Sequence, residues 1–414
     1  MTIQGTVMRI LALSDWFPYP PDNGARMRTH NLLRQLAQGH EIVLLSFIED
    51  APSAWSIEAV QTYCREITTV PSRSYRHSQL KSLLGFFQPR PRDVIATYSR
   101  EMERFVKEKL ADEPFDAVVA FAIGPGGGTA PYVRGMKEIP RIIEDLELSI
   151  LKDRIAIQPR WYQRVRLRLT WWKLRNYVAR SLQDMDGCTV ASAEERNLLL
   201  SILPSYQSLE VIPNGVDLSI YNGDFGLTEP DTLVFPGALT YKANLWAIKF
   251  FLEEIFPAVK AQRPGVKLYV TGHTDGVPLE ELPCRDGVFL TGYLDDIRPR
   301  IAQSTACVVP MTVGGGTRLK ILEAMALGTP VVSTSKGAEG LEVMPDRDIL
   351  IADEPAAFAE AVLRLLNDGK LRDKLAQNGR RLVREKYDWK TIGAKFDVFL
   401  REVVAAKGLA SLRN

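Results

Sequence analysis

The residues best suited to chemistry in this sequence lie between Val313 and Thr334, where a glycine run leads into a cationic segment. Thr317 is suited to cap a following helix, whose first turn carries the cations Arg318 and Lys320. Backbone N–H groups at the start of a helix point toward an anion. Three successive glycines let the backbone turn sharply and come close to a ligand: Gly314, Gly315 and Gly316. The stretch therefore predicts a phosphate site.

The residues that follow predict a helix and then a strand. Apolar side chains recur at helical spacing and indicate a buried face: Leu319, Leu322, Met325 and Ala326. Gly328 is suited to end the helix, and residues 330–334 are typical of a buried strand. Glu323 lies one turn beyond the cations, where its carboxylate could accept hydrogen bonds from hydroxyl groups. The alternative is an ordinary strand–helix–strand unit with a glycine-rich turn. A P-loop is excluded, because no Gly-Lys-Ser/Thr sequence follows the glycines.

The sequence GGGTRLKILEAMALGTPVVST at this position resembles the sugar-nucleotide site of retaining glycosyltransferases of family 4. The resemblance implies the GT-B architecture, in which two Rossmann-like domains face each other across a cleft. It also implies that Glu323 binds the donor's ribose, and that the loop and first helical turn hold the diphosphate. Two positions depart from the family pattern: Gly315 stands where the family has a first Glu, and no His follows Phe121.

The resemblance extends to the loop after the first strand of the second domain. Relatives place phosphate-binding cations there, and Lys242 lies close to the position of their Lys. Lys242 and Asn244 are therefore expected at the donor, together with the glycine segment. Lys242 and Arg318 are expected to be the catalytic cations, which stabilise the leaving diphosphate. Residues 288–290 and Tyr293 are expected to bracket the nucleobase.

A second candidate site follows the first predicted strand, residues 8–14. The chain opens with a strand, a loop, a helix and a further strand, which predicts a parallel doubly wound sheet. Ligands of such sheets bind beyond the carboxyl ends of the strands, which places residues 22–26 at the site. The resemblance implies a role for five residues here: Gly24 at the donor, and Asp22, Asn23, Arg28 and Asp145 on the acceptor side. The alternatives to these roles are that Gly24 is only a turn residue and that Asp145 lies in a solvated loop.

The composition is ordinary for a globular protein, with a formal net charge of +2 over 414 residues. The length predicts two or three domains, and the near-neutral charge argues against nucleic acid as a partner. Four cysteines and four histidines are scattered without ligand spacing. This predicts reduced core cysteines, an intracellular protein and no metal site. The N-terminal residues lack a signal-peptide pattern, and no apolar run is long enough to span a bilayer. We therefore expect a cytoplasmic protein with at most peripheral membrane contact.

Residues 161–182 combine six cations with aromatic and leucine side chains. One interpretation is a helix with a buried apolar stripe and a solvated basic face. The other is a surface that meets anionic lipid headgroups, with tryptophans at the interface. A second basic and aromatic stretch, residues 73–87, lies in the same half of the chain. Both interpretations remain open at the level of sequence.

The sequence as a whole predicts an α/β protein with two doubly wound Rossmann-like domains. Residues 211–217 resemble the IPNGVD signature at the start of the family's second domain. We expect an acceptor-side domain over residues 1–205, on which helix 389–414 packs back, and a donor domain over residues 206–388. The resemblance implies retaining transfer of a sugar from a nucleotide diphosphate sugar to a saccharide or lipid-linked acceptor.

We expect this transfer to serve the synthesis of cell-envelope polysaccharide or glycoconjugate at the inner face of the membrane. The cations of the site are suited to the reaction without a metal, and no cofactor is expected besides the nucleotide sugar as co-substrate. Two alternatives remain: a sugar-nucleotide epimerase on the same fold, and a non-catalytic protein that binds nucleotide sugars.

Overall fold

The computed structural model describes residues 6–72, 97–121, 128–283, 286–314 and 318–411. It separates into two compact units. The first is formed by residues 1–214 with 392–414, and the second by residues 215–391. The divisions fall after residues 214 and 391, nine and three residues beyond the predicted boundaries at 205 and 388. Each unit has the α/β architecture with its own parallel sheet.

The first unit is built on a seven-stranded parallel sheet with the order β3-β2-β1-β4-β5-β6-β7. Its strands are β1 (Arg9–Ser14), β2 (Glu41–Ile48), β3 (Glu66–Pro71), β4 (Ala117–Phe121), β5 (Arg141–Glu144), β6 (Gly187–Val190) and β7 (Leu209–Val211). Its helices are α1 (Gly24–Leu36), α2 (Ala54–Gln61), α3 (Arg100–Asp112), α4 (Ala130–Val133), α5 (Ser149–Ile157), α6 (Trp161–Gln183) and α7 (Ala193–Ile202). The central strands are near-continuous apolar runs, because both faces of such a sheet are covered by helices.

The second unit holds a six-stranded parallel sheet with the order β10-β9-β8-β11-β12-β13. Its strands are β8 (Glu229–Pro236), β9 (Lys267–Thr271), β10 (Val288–Gly292), β11 (Ser304–Val309), β12 (Val331–Ser333) and β13 (Leu350–Ile351). Its helices are α8 (Lys242–Phe250), α9 (Phe256–Gln262), α10 (Arg298–Ala302), α11 (Leu319–Leu327), α12 (Pro355–Asn367) and α13 (Gly369–Leu382). Two π-helical turns, Phe251–Ile255 and Val383–Tyr387, interrupt or extend these helices. Residues 242–262 are therefore two helices joined by a π turn.

In both sheets the strand order reverses at one place. The reversal lies between β1 and β4 in the first unit and between β8 and β11 in the second. Loops after these strands leave in opposite directions, which opens a crevice where ligands of such sheets bind. The predicted donor residues follow β8 and β11, and the predicted acceptor loop follows β1. Both sets therefore lie at a switch point of their own sheet.

The last helix, α14 (Trp389–Ser411), begins in the second unit and belongs to the first unit from Ile392 onward. Lys407 Nζ lies 2.7 Å from Asp186 Oδ1, and His40 Nε2 lies 2.6 Å from Asp397 Oδ1. A Cβ added at Gly187 would lie 2.9 Å from a methyl group of this helix. Residues 392–411 are thus a closely packed part of the first unit.

Candidate functional site

The loop after β8 is fixed by close backbone packing at two glycines. Gly272, at the end of β9, has φ +106°, and a Cβ added there would lie 2.6 Å from the amide nitrogen of Ala238. A Cβ added at Gly237 would lie 2.7 Å from Asn244 Nδ2. The same Nδ2 donates to the carbonyl of Ala238 at 2.9 Å. Any side chain at either glycine would displace the loop, so this sequence holds it in one path.

The side chain of Lys320 reaches this loop. Its Nζ donates to Asn244 Oδ1 at 2.8 Å and lies 4.5 Å from the centre of the Phe235 ring. A Cβ added at Gly237 would be 3.0 Å from the same nitrogen. Burial lowers the pKa of Lys320 to about 8, because desolvation disfavours the ammonium form. The site therefore contains a partly buried amine whose charge an anionic ligand would stabilise.

Arg318 braces the glycine segment from the start of α11. Its side chain is buried, and Nη2 donates to the carbonyl of Gly314 at 3.0 Å. The same nitrogen pairs with Glu339 Oε2 at 3.3 Å. Three of the predicted donor residues lie outside the described part of the chain: Gly315, Gly316 and Thr317. The guanidinium of Arg318 thus ties the carbonyl before that segment to the helix after it.

Glu323 is partly buried on the next turn of α11. The hydroxyl of Tyr221 donates to its Oε1 at 3.0 Å. Burial raises the pKa of Glu323, while the bond from Tyr221 and the charge of Lys320 act in the opposite direction. Tyr221 was not predicted, because it is 102 positions away in sequence and follows a short helical turn, Leu218–Ile220. The pair presents one carboxylate and one hydroxyl as hydrogen-bonding groups.

Lys242 lies at the exposed start of α8, beside the glycine segment. A Cβ added at Gly314, where φ is +109°, would lie 3.1 Å from the Cβ of Ala243 and 3.5 Å from the hydroxyl of Tyr241. The first turn of α8 is therefore in contact with the loop after β11. The second unit brings these predicted donor residues into one region: Lys242, Asn244, Gly314, Arg318 and Lys320.

Two aromatic rings stack at the carboxyl ends of β9 and β10. The ring centres of His273 and Tyr293 are 4.6 Å apart, and their planes differ by 19°. Both remain exposed, Tyr293 to 61%. His273 Nδ1 lies 3.4 Å from Asp275 Oδ2. The carboxyl ends of β9 and β10 thus carry an exposed aromatic surface. Tyr293, which was predicted to contact the base, is part of it.

In the first unit, the residues at the start of α1 are engaged with one another. Asn23 caps the helix by accepting from the amide of Arg26 at 3.0 Å, and its amide donates to Asp22. Arg26 in turn pairs with the carboxylate of Asp22 at 3.0 Å. Gly24 is the first helical residue, and a Cβ added there would meet no atom within 4 Å. Close packing does not require glycine at this position.

Arg28 is fully buried, and each of its guanidinium nitrogens has a protein partner. Nε donates to Glu144 Oε1 at 2.9 Å and lies 3.3 Å from Asp145 Oδ2, while Nη2 also bonds Glu144. Nη1 donates to Asn214 at 3.0 Å, and Nη2 donates to the carbonyl of Ile212 at 2.7 Å. The predicted acceptor residues Arg28 and Asp145 are therefore close together. Arg28 has no exposed surface to offer a ligand, and it joins α1, β5 and the segment before the second unit.

Carboxyl groups after β1 and β5 have unusual proton affinities. Burial raises the pKa of Asp15 to about 7. Burial also raises the pKa of Glu144 and of Glu147 to about 7, against the attraction of Arg28. Asp145, between the last two, adopts a left-handed backbone with φ +63°. Sequence reasoning singled out Asp145 but missed Glu144, whose signal was a carboxylate that ends an apolar strand.

Metal ligation was not expected from the sequence. In the described part of the chain, no group of three or more His, Cys, Asp or Glu side chains is arranged to hold a metal ion. Two Asp-x-Asp sequences are engaged in ion pairs instead. Their pairs are Asp184 with Arg134, Asp186 with Arg141 and Lys407, Asp346 with Arg364, and Asp348 with Arg347. These carboxylates serve the packing of their units.

The second unit, with its glycine segment and partly buried cation, matches a known family. Residues 230–368 fit the family model of the glycosyl transferases group 1. This chain carries a group 1 glycosyl transferase domain. That domain spans β8 to α12 and contains every predicted donor residue except Gly24. The resemblance to family 4 seen in the sequence is thereby confirmed.

Curated relatives of this group 1 chain include two mycobacterial mannosyltransferases. An MMP alpha-(1->4)-mannosyltransferase of Mycolicibacterium hassiacum is 27% identical over 64% of this chain and 64% of its own length. A phosphatidyl-myo-inositol mannosyltransferase of Mycobacterium tuberculosis is 29% identical over 48% of this chain and 54% of its own. The chain thus spans about half to two thirds of the length of these relatives.

Solved structures share the fold of the group 1 chain over nearly its whole length. A sucrose-phosphate synthase of Thermosynechococcus elongatus has a TM-score of 0.66 at 18% identity, over 96% of this chain and 100% of that one. WaaG, a glycosyltransferase involved in lipopolysaccharide biosynthesis, has a TM-score of 0.61 at 15% identity, over 94% and 99%. The predicted fold class, two Rossmann-like domains of the GT-B type, is confirmed.

Proposed function

We propose that this chain is a glycosyltransferase that moves a hexose from a nucleotide diphosphate sugar to a saccharide or lipid-linked acceptor. The observation that carries the proposal is the partly buried ammonium of Lys320, bonded to Asn244 beside the loop after β8. This cation lies at the switch point of a group 1 domain, in the same unit as the exposed Lys242. Such a site is suited to a diphosphate, whose charge the partly desolvated cation would offset.

In the proposed reaction, the bond between the anomeric carbon and the diphosphate oxygen breaks. The acceptor oxygen bonds to that carbon, and the proton of its hydroxyl group is released. Negative charge develops on the leaving diphosphate, and preorganised cations lower the barrier by stabilising it. We assign this task to Lys320 and Lys242. Arg318 acts by holding the carbonyl of Gly314, and so the path of the glycine segment.

We infer that Glu323 and Tyr221 recognise the ribose hydroxyls of the donor. A carboxylate held by a neighbouring hydroxyl can accept bonds from a diol, and a ligand that lacks one hydroxyl loses that bond. Glu323→Gln is expected to weaken binding of a ribonucleoside diphosphate about threefold to tenfold. The 2′-deoxy analogue should be affected less, as measured by calorimetry on both ligands. Equal weakening of the two would show that Glu323 only supports its helix.

The nucleobase would lie on the stacked rings of His273 and Tyr293. An exposed aromatic surface binds any base through its face, and each stacked base contributes about 1–3 kcal/mol. This surface follows β9 and β10, which lie beside β8 on the side away from β11. Because this surface would stack any base, the base and the sugar of the donor must be identified with a binding panel.

The proposed activity is tested with a panel of nucleoside diphosphate hexoses. A donor present at 100 times its dissociation constant stabilises its site by about 2.7 kcal/mol, which a thermal unfolding assay detects. The stabilising donor is then incubated with and without acceptor saccharides. Release of the nucleoside diphosphate that increases with acceptor supports the proposal. An altered hexose that stays linked to the nucleotide would identify an epimerase. Binding without turnover would identify a non-catalytic protein.

The proposed acceptor belongs to the cell envelope and is met at an anionic membrane face of the cytoplasm. The support is helix α6, whose first half, residues 161–172, contains no acidic residue and no buried side chain. Trp161, Val165 and Trp172 are 77%, 56% and 59% exposed and recur at spacings of four and seven, which places them on one face. Arginines at 164, 168 and 175 flank that face. No helix of the described residues is long and apolar enough to cross a membrane.

Vesicle binding tests this membrane contact. Each cation near an anionic leaflet contributes about 1 kcal/mol, and salt screens the attraction. The protein is expected to sediment with phosphatidylglycerol-rich vesicles at low salt, and the bound fraction should fall as salt rises. Changing Arg164, Arg166 and Arg168 to Glu should abolish binding. The matched control changes three exposed lysines of the second unit to Glu: Lys267, Lys370 and Lys374. No sedimentation at low salt would refute the contact.

A further inference from the structure

An exposed tryptophan lies at the carboxyl edge of the first sheet, outside the residues discussed so far. Trp55 is the second residue of α2 and is 60% exposed. Its ring packs edge-on against Tyr19, with centres 4.9 Å apart and planes at 73°. Tyr19 belongs to the loop after β1, and α2 follows β2. Because β1 and β2 are parallel neighbours, their following loops meet at the same edge of the sheet.

The two rings are backed by a rigid, partly buried layer. Tyr19 packs on the ring of His30 at 5.5 Å, and His30 packs edge-on against Tyr63 at 5.2 Å. His30 is almost fully buried, and its Nδ1 lies 2.9 Å from the hydroxyl of Tyr63. Burial therefore decreases in steps from His30 to Trp55. We refer to Tyr19 and Trp55 as the aromatic shelf.

Polar groups accompany the aromatic shelf in the same loop. Asp22 lies three positions after Tyr19, its amide donates to the carbonyl of Pro20 at 2.9 Å, and its carboxylate pairs with Arg26. The ion pair is exposed, so both groups can also bond a ligand's hydroxyls. An aromatic face beside a few oriented polar groups is the usual composition of a site for an uncharged, hydroxyl-rich ligand.

The charge around the aromatic shelf argues against contact with an anionic membrane, the partner proposed for α6. Residues 49–58 contain three carboxylates, Glu49, Asp50 and Glu58, and no Lys or Arg. An anionic lipid surface would be repelled there, whereas an uncharged sugar would not. A pyranose ring offers C–H groups to an aromatic face and hydroxyls to polar side chains, of which Asp22 lies three positions after Tyr19 in the same loop.

We propose that Trp55 and Tyr19 form a subsite that stacks a pyranose ring of a saccharide acceptor. The proposal rests on the proposed glycosyltransferase function for its meaning, but the binding it asserts requires no donor and no turnover. The shelf would hold a sugar unit of the acceptor on the first unit, so it sets which saccharides are accepted.

Saturation-transfer NMR on the full chain tests the subsite, with methyl α-pyranosides of glucose, galactose, mannose and N-acetylglucosamine as probes. Ring protons of at least one probe should receive saturation from the protein. Trp55→Leu keeps an apolar side chain but removes the aromatic face, and should reduce this transfer about fivefold or more. Trp55→Phe should retain most of it. Trp246→Ala is the control, because Trp246 is 47% exposed in the second unit.

The outcomes separate this subsite from the proposed function. Loss of transfer in Trp55→Leu, with retention in Trp55→Phe and Trp246→Ala, supports the subsite even if no donor is found. Absence of transfer from all four probes, or equal transfer in Trp55→Leu, overturns it. The subsite would also be overturned, in favour of a lipid contact, if Trp55→Leu lowers vesicle binding but leaves the saturation transfer to the sugar probes unchanged. Donor binding measured by calorimetry should be the same in all three variants.

Discussion

Replacing Lys320 by methionine is expected to weaken binding of a nucleoside diphosphate about 10- to 100-fold at pH 7. Methionine keeps an unbranched side chain of similar length but removes the charge that lies over the Phe235 ring. A charge-assisted hydrogen bond to phosphate contributes about 1.5–3 kcal/mol, which corresponds to that range of dissociation constants. Lys267→Met is the control, since Lys267 is exposed at the start of β9, the opposite end of the strand from the site. Calorimetry with the diphosphate alone is the measurement.

The pH dependence of binding should report the same group. The pKa of Lys320 is lowered to about 8, so the amine is charged below pH 8 and loses its proton above it. An anion favours the charged form, so binding above pH 8 must take up a proton. Affinity is therefore expected to be level near pH 7 and to fall by up to about tenfold per pH unit above pH 8. Lys320→Met should bind with no such decline. A wild-type affinity unchanged between pH 7 and pH 9.5 would contradict the assignment.

Replacing Arg28 by methionine is expected to destabilise the first unit by about 3–5 kcal/mol. Breaking a fully buried ion pair leaves its partner charge uncompensated, and that penalty is larger than the net value of the pair. Arg65→Met is the matched control, because Arg65 is largely exposed and water screens its surface pair with Glu41. The free energy of unfolding of the first unit is measured by urea unfolding of the full chain, with the transition of each unit monitored separately.

Two further measurements show whether the loss comes from the buried carboxylates. In Arg28→Met the carboxylate of Glu144 can become neutral by taking up a proton. The raised pKa of Glu144, about 7 with the arginine present, means that this is easier at pH 5 than at pH 8. The destabilisation should therefore grow as the pH rises from 5 to 8. The double variant Arg28→Met with Glu144→Gln should recover part of the stability. A single variant within 1 kcal/mol of the wild type would refute the role of Arg28.

Elements with a local signal could be predicted from the sequence. The helix Leu319–Leu327 has apolar residues at helical spacing and ends at Gly328, which adopts φ +77° as the left-handed cap requires. The strand predicted over residues 8–14 is likewise present as β1, since a short apolar run is typical of a buried strand. The π turn at Phe251–Ile255 was not predicted, because the residues there fit an unbroken helix equally well.

The environment of α6 could not be decided by sequence. Leucine, tryptophan and arginine alternate along it, so every face of the helix carries both apolar and charged residues. In the structure only the second half of the helix has a buried stripe. It runs from Lys173 to Leu182 and leaves Arg175 and Arg180 exposed, while residues 161–172 stay at least partly exposed. The interpretation as a buried stripe thus fits only the second half of the helix, and the lipid interpretation stays a prediction for residues 161–172.

The partners of the site residues also required the structure. Asn244 and Lys320 are 76 positions apart, and Arg28 and Glu144 are 116 apart, so no spacing rule connects them. They meet because the strand order places β8 beside β11 and leaves one strand between β1 and β5. Residue types could indicate a phosphate site and an acidic loop. They could not indicate that Arg28 is enclosed, or that Tyr221 bonds Glu323.

The course of α14 has a consequence for how the chain is made. The first unit needs residues 392–411 of that helix, but the 177 residues from 215 to 391 are synthesised before them. At about 5–20 residues per second, this takes roughly 10–35 s. During that time the nascent first unit has an open surface where Lys407 and Asp397 will later pair, at Asp186 and His40. The contiguous second unit, although it comes later in the sequence, can therefore finish folding on the ribosome first. The first unit, with the N-terminal sheet, is completed only after residues 392–411 have been made.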